Sequence, residues 1–126
     1  MGKQEITTAK GAAPGGAYSQ GLRAGDFVFV SGQGPLDPAT GTIVGVTIEE
    51  QVRGTLENVK AILEAGGATM PDVAKATVHL ADIGDFPRFT AVYAEYCPDP
   101  RATRTTVQSV LHDIKVEIDV IAYVGE

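Results

Sequence analysis

Tryptophan is absent from the chain, cysteine occurs once and histidine twice. The lone thiol, Cys97, has no partner for an internal disulfide, which removes the main sequence argument for secretion. It precedes Pro98, with nothing near it in sequence to favour a thiolate, so a cysteine nucleophile is not expected. His79 and His112 are far apart, with no second His or Cys at ligand spacing, so no metal centre is expected either. Basic residues are outnumbered: 10 Lys and Arg stand against 16 Asp and Glu, for a net charge of -6 and a pI near 4.8. Such a surface repels phosphate backbones, and no Lys/Arg cluster makes a local exception, so no nucleic-acid partner is expected. No apolar stretch reaches the roughly 18 residues that a bilayer crossing needs, and the start Met1-Gly2-Lys3-Gln4-Glu5 lacks the apolar core of a signal peptide. The expectation is a soluble, cytoplasmic protein with no membrane partner.

What is present suits one folded domain over residues 1–126, since 44% of the residues are hydrophobic and 21% charged with no long polar tract. A short strand is expected near Glu5 to Thr8, followed by a glycine-rich loop, Gly11-Ala12-Ala13-Pro14-Gly15-Gly16-Ala17-Tyr18-Ser19. That loop has no Gly-Lys-Ser/Thr ending and no Gly-x-Gly-x-x-Gly leading into a helix, so it is not a phosphate cradle. Phe27 to Ser31 has the aromatic and β-branched content of a buried strand, and Leu36 to Gly41 is a turn carrying Asp, Pro and Gly.

Thr47-Ile48-Glu49-Glu50 fits a capping box, and Ile48, Val52, Leu56, Val59 and Leu63 recur at helical spacing before Gly66-Gly67, which predicts a helix over about 48–65. Ala76, Val78 and Leu80 alternate with Thr77 and His79 as a strand does. Asp85 is placed to cap a second helix whose apolar face is Phe86, Phe89, Val92, Tyr93 and Tyr96, ended by Pro98 and Pro100. Thr105 to Val110 and Lys115 to Val124 predict a terminal hairpin, with Val116, Ile118, Val120, Ala122 and Val124 on one face and Glu117, Asp119, Ile121 and Tyr123 on the other. The order implies an α+β fold, a single layer of two helices on one mixed β-sheet. Two helices cover one face only, so the other, with Ile121 and Tyr123, is expected to be buried by other subunits.

Three residues stand out as chemistry. Arg104 enters a strand between Thr103, Thr105 and Thr106, where a guanidinium beside hydroxyls suits a carboxylate; the plain alternative is a surface arginine. Glu117 interrupts an apolar strand and is placed either to activate a water or simply to face solvent, as Asp119 does two residues on. Tyr18, in the glycine loop, is a hydrogen-bond donor to a substrate or a packing anchor.

Taken in order, the chain resembles the Rid family, the YjgF-type reactive intermediate deaminases also labelled endoribonuclease L-PSP. The matching stretches are Gly16-Ala17-Tyr18-Ser19-Gln20, Val30-Ser31-Gly32-Gln33-Gly34-Pro35 with Asp37-Pro38 and Thr40-Gly41, Glu50-Gln51 with Leu56-Glu57-Asn58, Lys75-Ala76-Thr77-Val78, Asp85-Phe86, Tyr93, Arg104-Thr105-Thr106-Val107 and Val116-Glu117-Ile118. They span nearly the whole chain. The resemblance implies a chorismate-mutase-like fold, a homotrimer with clefts between subunits, no cofactor, and hydrolysis of 2-imino or enamine acids to 2-oxo acids and ammonia. It implies that Arg104 binds the substrate carboxylate and that Glu117 aims the water. Tyr18 and the backbone of Ser31, Gly32 and Thr106 would complete the pocket.

The chain departs from the common pattern in three places: Ala102-Thr103-Arg104 stands for Pro-Ala-Arg, Thr90 for a frequent Asn, and the last loop is shorter. A changed pocket admits a 2-aminomuconate-type enamine beside 2-iminopropanoate or 2-iminobutanoate. Two other readings stand beside the deaminase: a non-catalytic, small-ligand-binding regulatory trimer, favoured if Glu117 points away from Arg104 in the assembly, and an endoribonuclease or translation inhibitor, which the acidic charge opposes.

Overall fold

The structure is a computed structural model that describes residues 2–125. Its main elements are β1 (Lys3–Ile6), β2 (Gly21–Ala24), β3 (Phe27–Gln33), α1 (Ile48–Ala65), β4 (Val73–Leu80), α2 (Phe86–Tyr96), β5 (Thr103–Gln108) and β6 (Val116–Tyr123). The six strands form one sheet in the order β1-β2-β3-β6-β4-β5. Every pairing is antiparallel except β4 with β5, so the sheet is mixed. Among the described residues, no helix is long and apolar enough to cross a membrane.

Helix α1 begins where its capping box predicts. The Thr47 hydroxyl accepts from the Glu50 amide at 3.1 Å, and the Glu50 carboxylate accepts from the Thr47 amide at 3.0 Å. Two of the donors left free at a helix start are thereby satisfied. At the other end Gly67 adopts φ 86°, a left-handed conformation that L side chains resist, and the chain leaves the helix there. Ile48, Val52, Leu56, Val59, Ile62 and Leu63 are buried against Val28 and Val30 of β3 and Ile118 and Val120 of β6. Helix α2 lies on the same side of the sheet and adds Phe89, Val92 and Tyr93 to that core.

Strand β6 alternates as expected: Val116, Ile118, Val120 and Ala122 are buried, while Glu117, Asp119, Ile121 and Tyr123 face the side that carries no helix. On that bare side Phe27, Phe29 and Tyr123 are exposed and cluster together, with the Phe27 and Tyr123 rings 5.3 Å apart.

Three expectations need correction. The predicted terminal hairpin does not form: β6 inserts between β3 and β4, antiparallel to both, while β5 runs parallel to β4 at the edge. Helix α2 is the crossover that brings β5 in parallel, and burial decides the rest. One whole face of β6 is apolar enough to need core on that side and partners on both edges, whereas no residue of β5 is fully buried. The first strand lies at Lys3–Ile6 rather than Glu5 to Thr8, and β2, not anticipated, pairs with it. Strand β2 turns into β3 through Gly25-Asp26, with Gly25 at φ 57° as a two-residue hairpin loop requires. Asp85 occupies the N-cap of α2 but its side chain makes no capping bond; the preceding turn is closed by Asp82, whose carboxylate accepts from the Gly84 amide at 2.8 Å.

Buried amides on α1 tie the loops down. Asn58 donates to the carbonyls of Gly34 at 3.0 Å and Leu36 at 2.9 Å, and Gln51 accepts from the Lys115 amide at 2.8 Å while donating to the Gly45 carbonyl at 3.1 Å. Asn58→Ala leaves two loop carbonyls without these partners, and a loss of about 1–3 kcal/mol is expected in chemical denaturation; parental stability would show that water replaces the amide at no cost.

Candidate active site

The bare face of the sheet holds an open cavity of about 940 Å³ whose walls include Tyr18, Phe29, Ser31, Gly32, Glu117 and Asp119. A buried glutamine sets its rim. Gln20 accepts from the Thr8 amide at 2.7 Å and donates to the carbonyls of Thr8 and Ala12 at 3.0 and 2.8 Å, which folds the glycine loop back onto the sheet. The Ser31 amide donates to the Gln20 carbonyl at 2.9 Å and the Ser31 hydroxyl to the Ser19 carbonyl at 2.6 Å, closing the loop onto β3. Tyr18, half-exposed, accepts at its hydroxyl from the Gly15 amide at 3.0 Å.

The floor depends on an irregularity in β3. Val30 pairs with Val120 and Gln33 with Ile118, so Ser31 and Gly32 form a bulge against β6. A bulge re-aims the chain and turns its residues toward what lies beside the ladder, and here that is Glu117. A Cβ on Gly32 would stand 2.6 Å from Glu117 Oε2, so the carboxylate rests against backbone only because position 32 has no side chain.

Asp119 shares the floor. Its carboxyl is pushed above the usual range by burial, partly offset by His79 and Lys75. In register, Asp119 faces Thr77 and Glu117 faces His79, and His79 Nδ1 lies 2.8 Å from the Ser109 hydroxyl. By sequence alone Asp119 is a solvent-facing strand residue. The signal that identifies it is its period-2 relation to Glu117, which puts both carboxylates on one face.

Arg104 lies elsewhere. It pairs in register with Ala76, and Thr106 with Val78, so both point to the helix-covered side of the edge strand β5. The guanidinium carbon sits 5.3 Å from the Phe86 ring, 5.1 Å from Phe89 and 4.8 Å from Tyr93, and Nη2 donates to the Thr90 hydroxyl at 3.3 Å. Nearby on the strand, the buried Thr106 hydroxyl has no hydrogen-bond partner among the described residues. These three rings were read from the sequence as core-facing only.

The structure therefore brings Tyr18, Ser31, Gly32 and Glu117 together and Arg104, Thr90 and Thr106 together, but not the two sets. Glu117 and Arg104 are two strands apart, about 10 Å across the sheet, and on opposite faces. Cys97, a candidate already set aside, is buried at the end of α2, and burial pushes its thiol up, away from the thiolate.

Two helices on one face of this mixed sheet, with a carboxylate cavity on the other, define the α+β fold of the YjgF-type proteins. The endoribonuclease L-PSP family matches residues 8–124. A RutC family protein of Pyrococcus horikoshii is 46% identical over 123 residues, covering 96% of this chain and 98% of its own. Reactive Intermediate Deaminase A, chloroplastic, of Arabidopsis thaliana is 39% identical over 122 residues, covering 95% of this chain and 65% of its own. The crystal structure of E. coli TdcF with bound serine aligns at a TM-score of 0.87 and 38% identity, covering 95% of this chain and 98% of that one. The chain belongs to the endoribonuclease L-PSP family, the Rid family of reactive intermediate deaminases.

Gly32→Ala tests the floor. The fold is expected to hold, because the clashing atoms are the end of the Glu117 side chain, and a crystal structure of the variant should show that carboxylate displaced from the bulge. An unmoved Glu117 would mean that the close approach does not constrain it.

Proposed function

We propose that this protein hydrolyses short-lived 2-imino or enamine acids to 2-oxo acids and ammonia, in clefts that two neighbouring copies of a homotrimer build together. The observation that carries the proposal is the placement of two complementary half-sites on opposite faces. One is a guanidinium with no carboxylate partner among the described residues; the other is a carboxylate on a sheet face that carries no helix and exposes Phe27, Phe29 and Tyr123. Neither completes a site within one chain. Association through the bare face would bury Phe27, Phe29 and Tyr123 and set the Glu117 cavity of one copy beside the β5 edge of the next.

In that cleft Arg104 grips the substrate carboxylate through two parallel hydrogen bonds, with Thr90 and Thr106 beside it. An enamine first tautomerises to the imine. Glu117 then takes a proton from water as the water oxygen bonds to the C=N carbon and the π pair goes to nitrogen. The proton held by Glu117 and that of the new hydroxyl pass to nitrogen, the C–N bond breaks, ammonia leaves and the C=O forms. Tyr18 and the Ser31-Gly32 bulge position the reacting end. Nothing is oxidised or reduced, so water is the sole co-reactant. The relative TdcF binds serine, a small amino acid, which supports a carboxylate ligand of that size. Whether the side chain is that of 2-iminopropanoate, 2-iminobutanoate or a 2-aminomuconate-type enamine is decided by comparing kcat/KM on freshly generated substrates. A net charge of -6 weighs against RNA as substrate.

Arg104→Lys is expected to fail nearly as badly as Arg104→Ala, because an ammonium keeps the charge but not the fork. Either should lower kcat/KM by roughly thirtyfold to several thousandfold, equivalent to about 2–5 kcal/mol, with melting temperature retained. Near-parental turnover in either variant removes the clamp.

Glu117→Gln should bind substrate without turning it over, since the amide cannot accept the proton. Mixing it with Arg104→Ala after dissociation and reassembly tests the shared cleft. If each cleft takes Arg104 from one copy and Glu117 from its neighbour, random reassembly leaves about a quarter of clefts with both groups, and activity should recover toward that fraction. No recovery places both groups in one chain's site or makes the protein a binding module without turnover.

A further inference from the structure

The arginines of this chain are held in different ways. Arg53 forks onto Glu95 at 2.7 and 3.1 Å, and Arg88 onto Glu49 at 2.6 and 2.9 Å. Arg23 donates to the carbonyls of Gly25 and Gly66 at 2.8 and 2.9 Å, and Arg101 to that of Cys97 at 2.9 Å. In each case protein oxygens occupy the donors. Arg104 is different: three aromatic rings lie 4.8 to 5.3 Å from its guanidinium carbon, and Thr90 takes one N–H at the long distance of 3.3 Å.

The difference has a chemical consequence. A guanidinium carries five N–H groups around its plane. A carboxylate counter-ion stabilises the cation by using up two of them and by cancelling the charge that an incoming anion needs. An aromatic face stabilises the cation through its quadrupole and uses none. Rings therefore restrain the group and leave its edge available, which is the state a receptor for a second carboxylate must be in before the ligand arrives. The cost of ordering a long, flexible side chain is then met on folding rather than on binding.

We propose that Phe86, Phe89 and Tyr93 are positioning residues that form an aromatic box, holding the Arg104 guanidinium in place and unneutralised for capture of the substrate carboxylate. The proposal rests on the reading of Arg104 as the carboxylate clamp. All three rings come from α2, at positions 86, 89 and 93, the helical spacing that puts them on one face. Phe89 and Tyr93 are buried, whereas Phe86 is 37% exposed and forms the lip of the box. Arg104 is fixed in turn by its register with Ala76 on β4. Helix and edge strand thus meet at the guanidinium, and the box acts on substrate only through it.

The test uses the intact oligomer and pyruvate, a plain 2-oxo acid, as the probe in titration calorimetry, with turnover on a 2-imino acid measured beside it. Phe86→Leu and Phe89→Leu should each weaken pyruvate by roughly two- to tenfold, the factor that corresponds to ordering one long side chain on binding. KM should rise by a similar factor with kcat within about twofold, because a clamp that binds ground state and transition state alike affects binding rather than chemistry. Phe86→Tyr keeps the ring face and should bind as the parent does. Phe86 supplies the decisive variant, since its exposure keeps its replacement from threatening the core, and a purely structural role would move melting temperature without moving pyruvate affinity. Parental affinity in Phe86→Leu, with Arg104→Ala failing to bind, overturns the box and leaves the clamp. Parental affinity in Arg104→Ala, or no binding of pyruvate by the parent protein, overturns the clamp and the box together.

Discussion

Strand β6 is the constraint on which the remaining architecture depends. It alternates without a break from Val116 to Ala122, and it is hydrogen-bonded on both edges, to β3 and to β4. A one-residue slip in either pairing would send Val116, Ile118, Val120 and Ala122 to the bare side and bring Glu117 and Asp119 into the apolar core. Burial of an unpaired carboxylate there is costly enough to exclude that register. The same alternation that secures the core therefore places both carboxylates on the far face, on a central strand. Groups carried by a central strand move less than groups on loops, and a water-activating carboxylate benefits from that rigidity.

The sheet also keeps opposite charges apart. If Arg104 and Glu117 projected from the same face of neighbouring strands, they would pair, and each would occupy the other's donors or lone pairs. Two intervening strand spacings and the thickness of the sheet prevent this. The arginine is packed instead against aromatic rings, and the glutamate lies beside the Gly32 backbone. In the proposed cleft the two groups meet through the substrate, which supplies a carboxylate to one and an electrophilic carbon to the water held by the other.

Much of this was legible in the residues, and the boundary follows from the range of the interactions involved. Helix α1 was readable because its signals are local: the capping box lies within four residues and its apolar stripe repeats every turn. The two faces of β6 were readable for the same reason. The partners of β6 were not, because the choice between a hairpin with β5 and a slot between β3 and β4 is made by burial over the whole sheet; a short linking loop permits either. Strand β2 was hidden by its four residues, Gly21-Leu22-Arg23-Ala24, too few for a period to emerge. At the site, Arg104 and Glu117 stood out from the residues alone, but only the family resemblance set them above the plain alternatives, since an arginine flanked by threonines and a glutamate in a strand are each ordinary on a surface. The aromatic spacing on α2 was visible, but nothing local distinguishes a ring that faces Val78 from one that faces a guanidinium on another strand.

The balance of charge bears on how such a site gathers its ligand. The chain carries 16 acidic and 10 basic residues, so the field of the whole molecule disfavours the approach of an anionic substrate. Long-range steering toward the cleft is weak at best, and beyond roughly 8–10 Å it is screened at physiological ionic strength. In the proposed cleft, affinity for a carboxylate comes from short range, from a fork of hydrogen bonds made where water is excluded and the effective dielectric is low. Those bonds act at full strength only if the arginine enters them with its donors unoccupied and its charge uncompensated. Surface pairs such as Arg88 with Glu49, whose side chains are 54% and 40% exposed, do not meet that requirement. Arg104, part-buried against rings and lacking a counter-ion among the described residues, does. On the proposed reading, an acidic protein binds an acid by contact rather than by field through one such residue, and the rings of α2 hold that cation without a partner of its own.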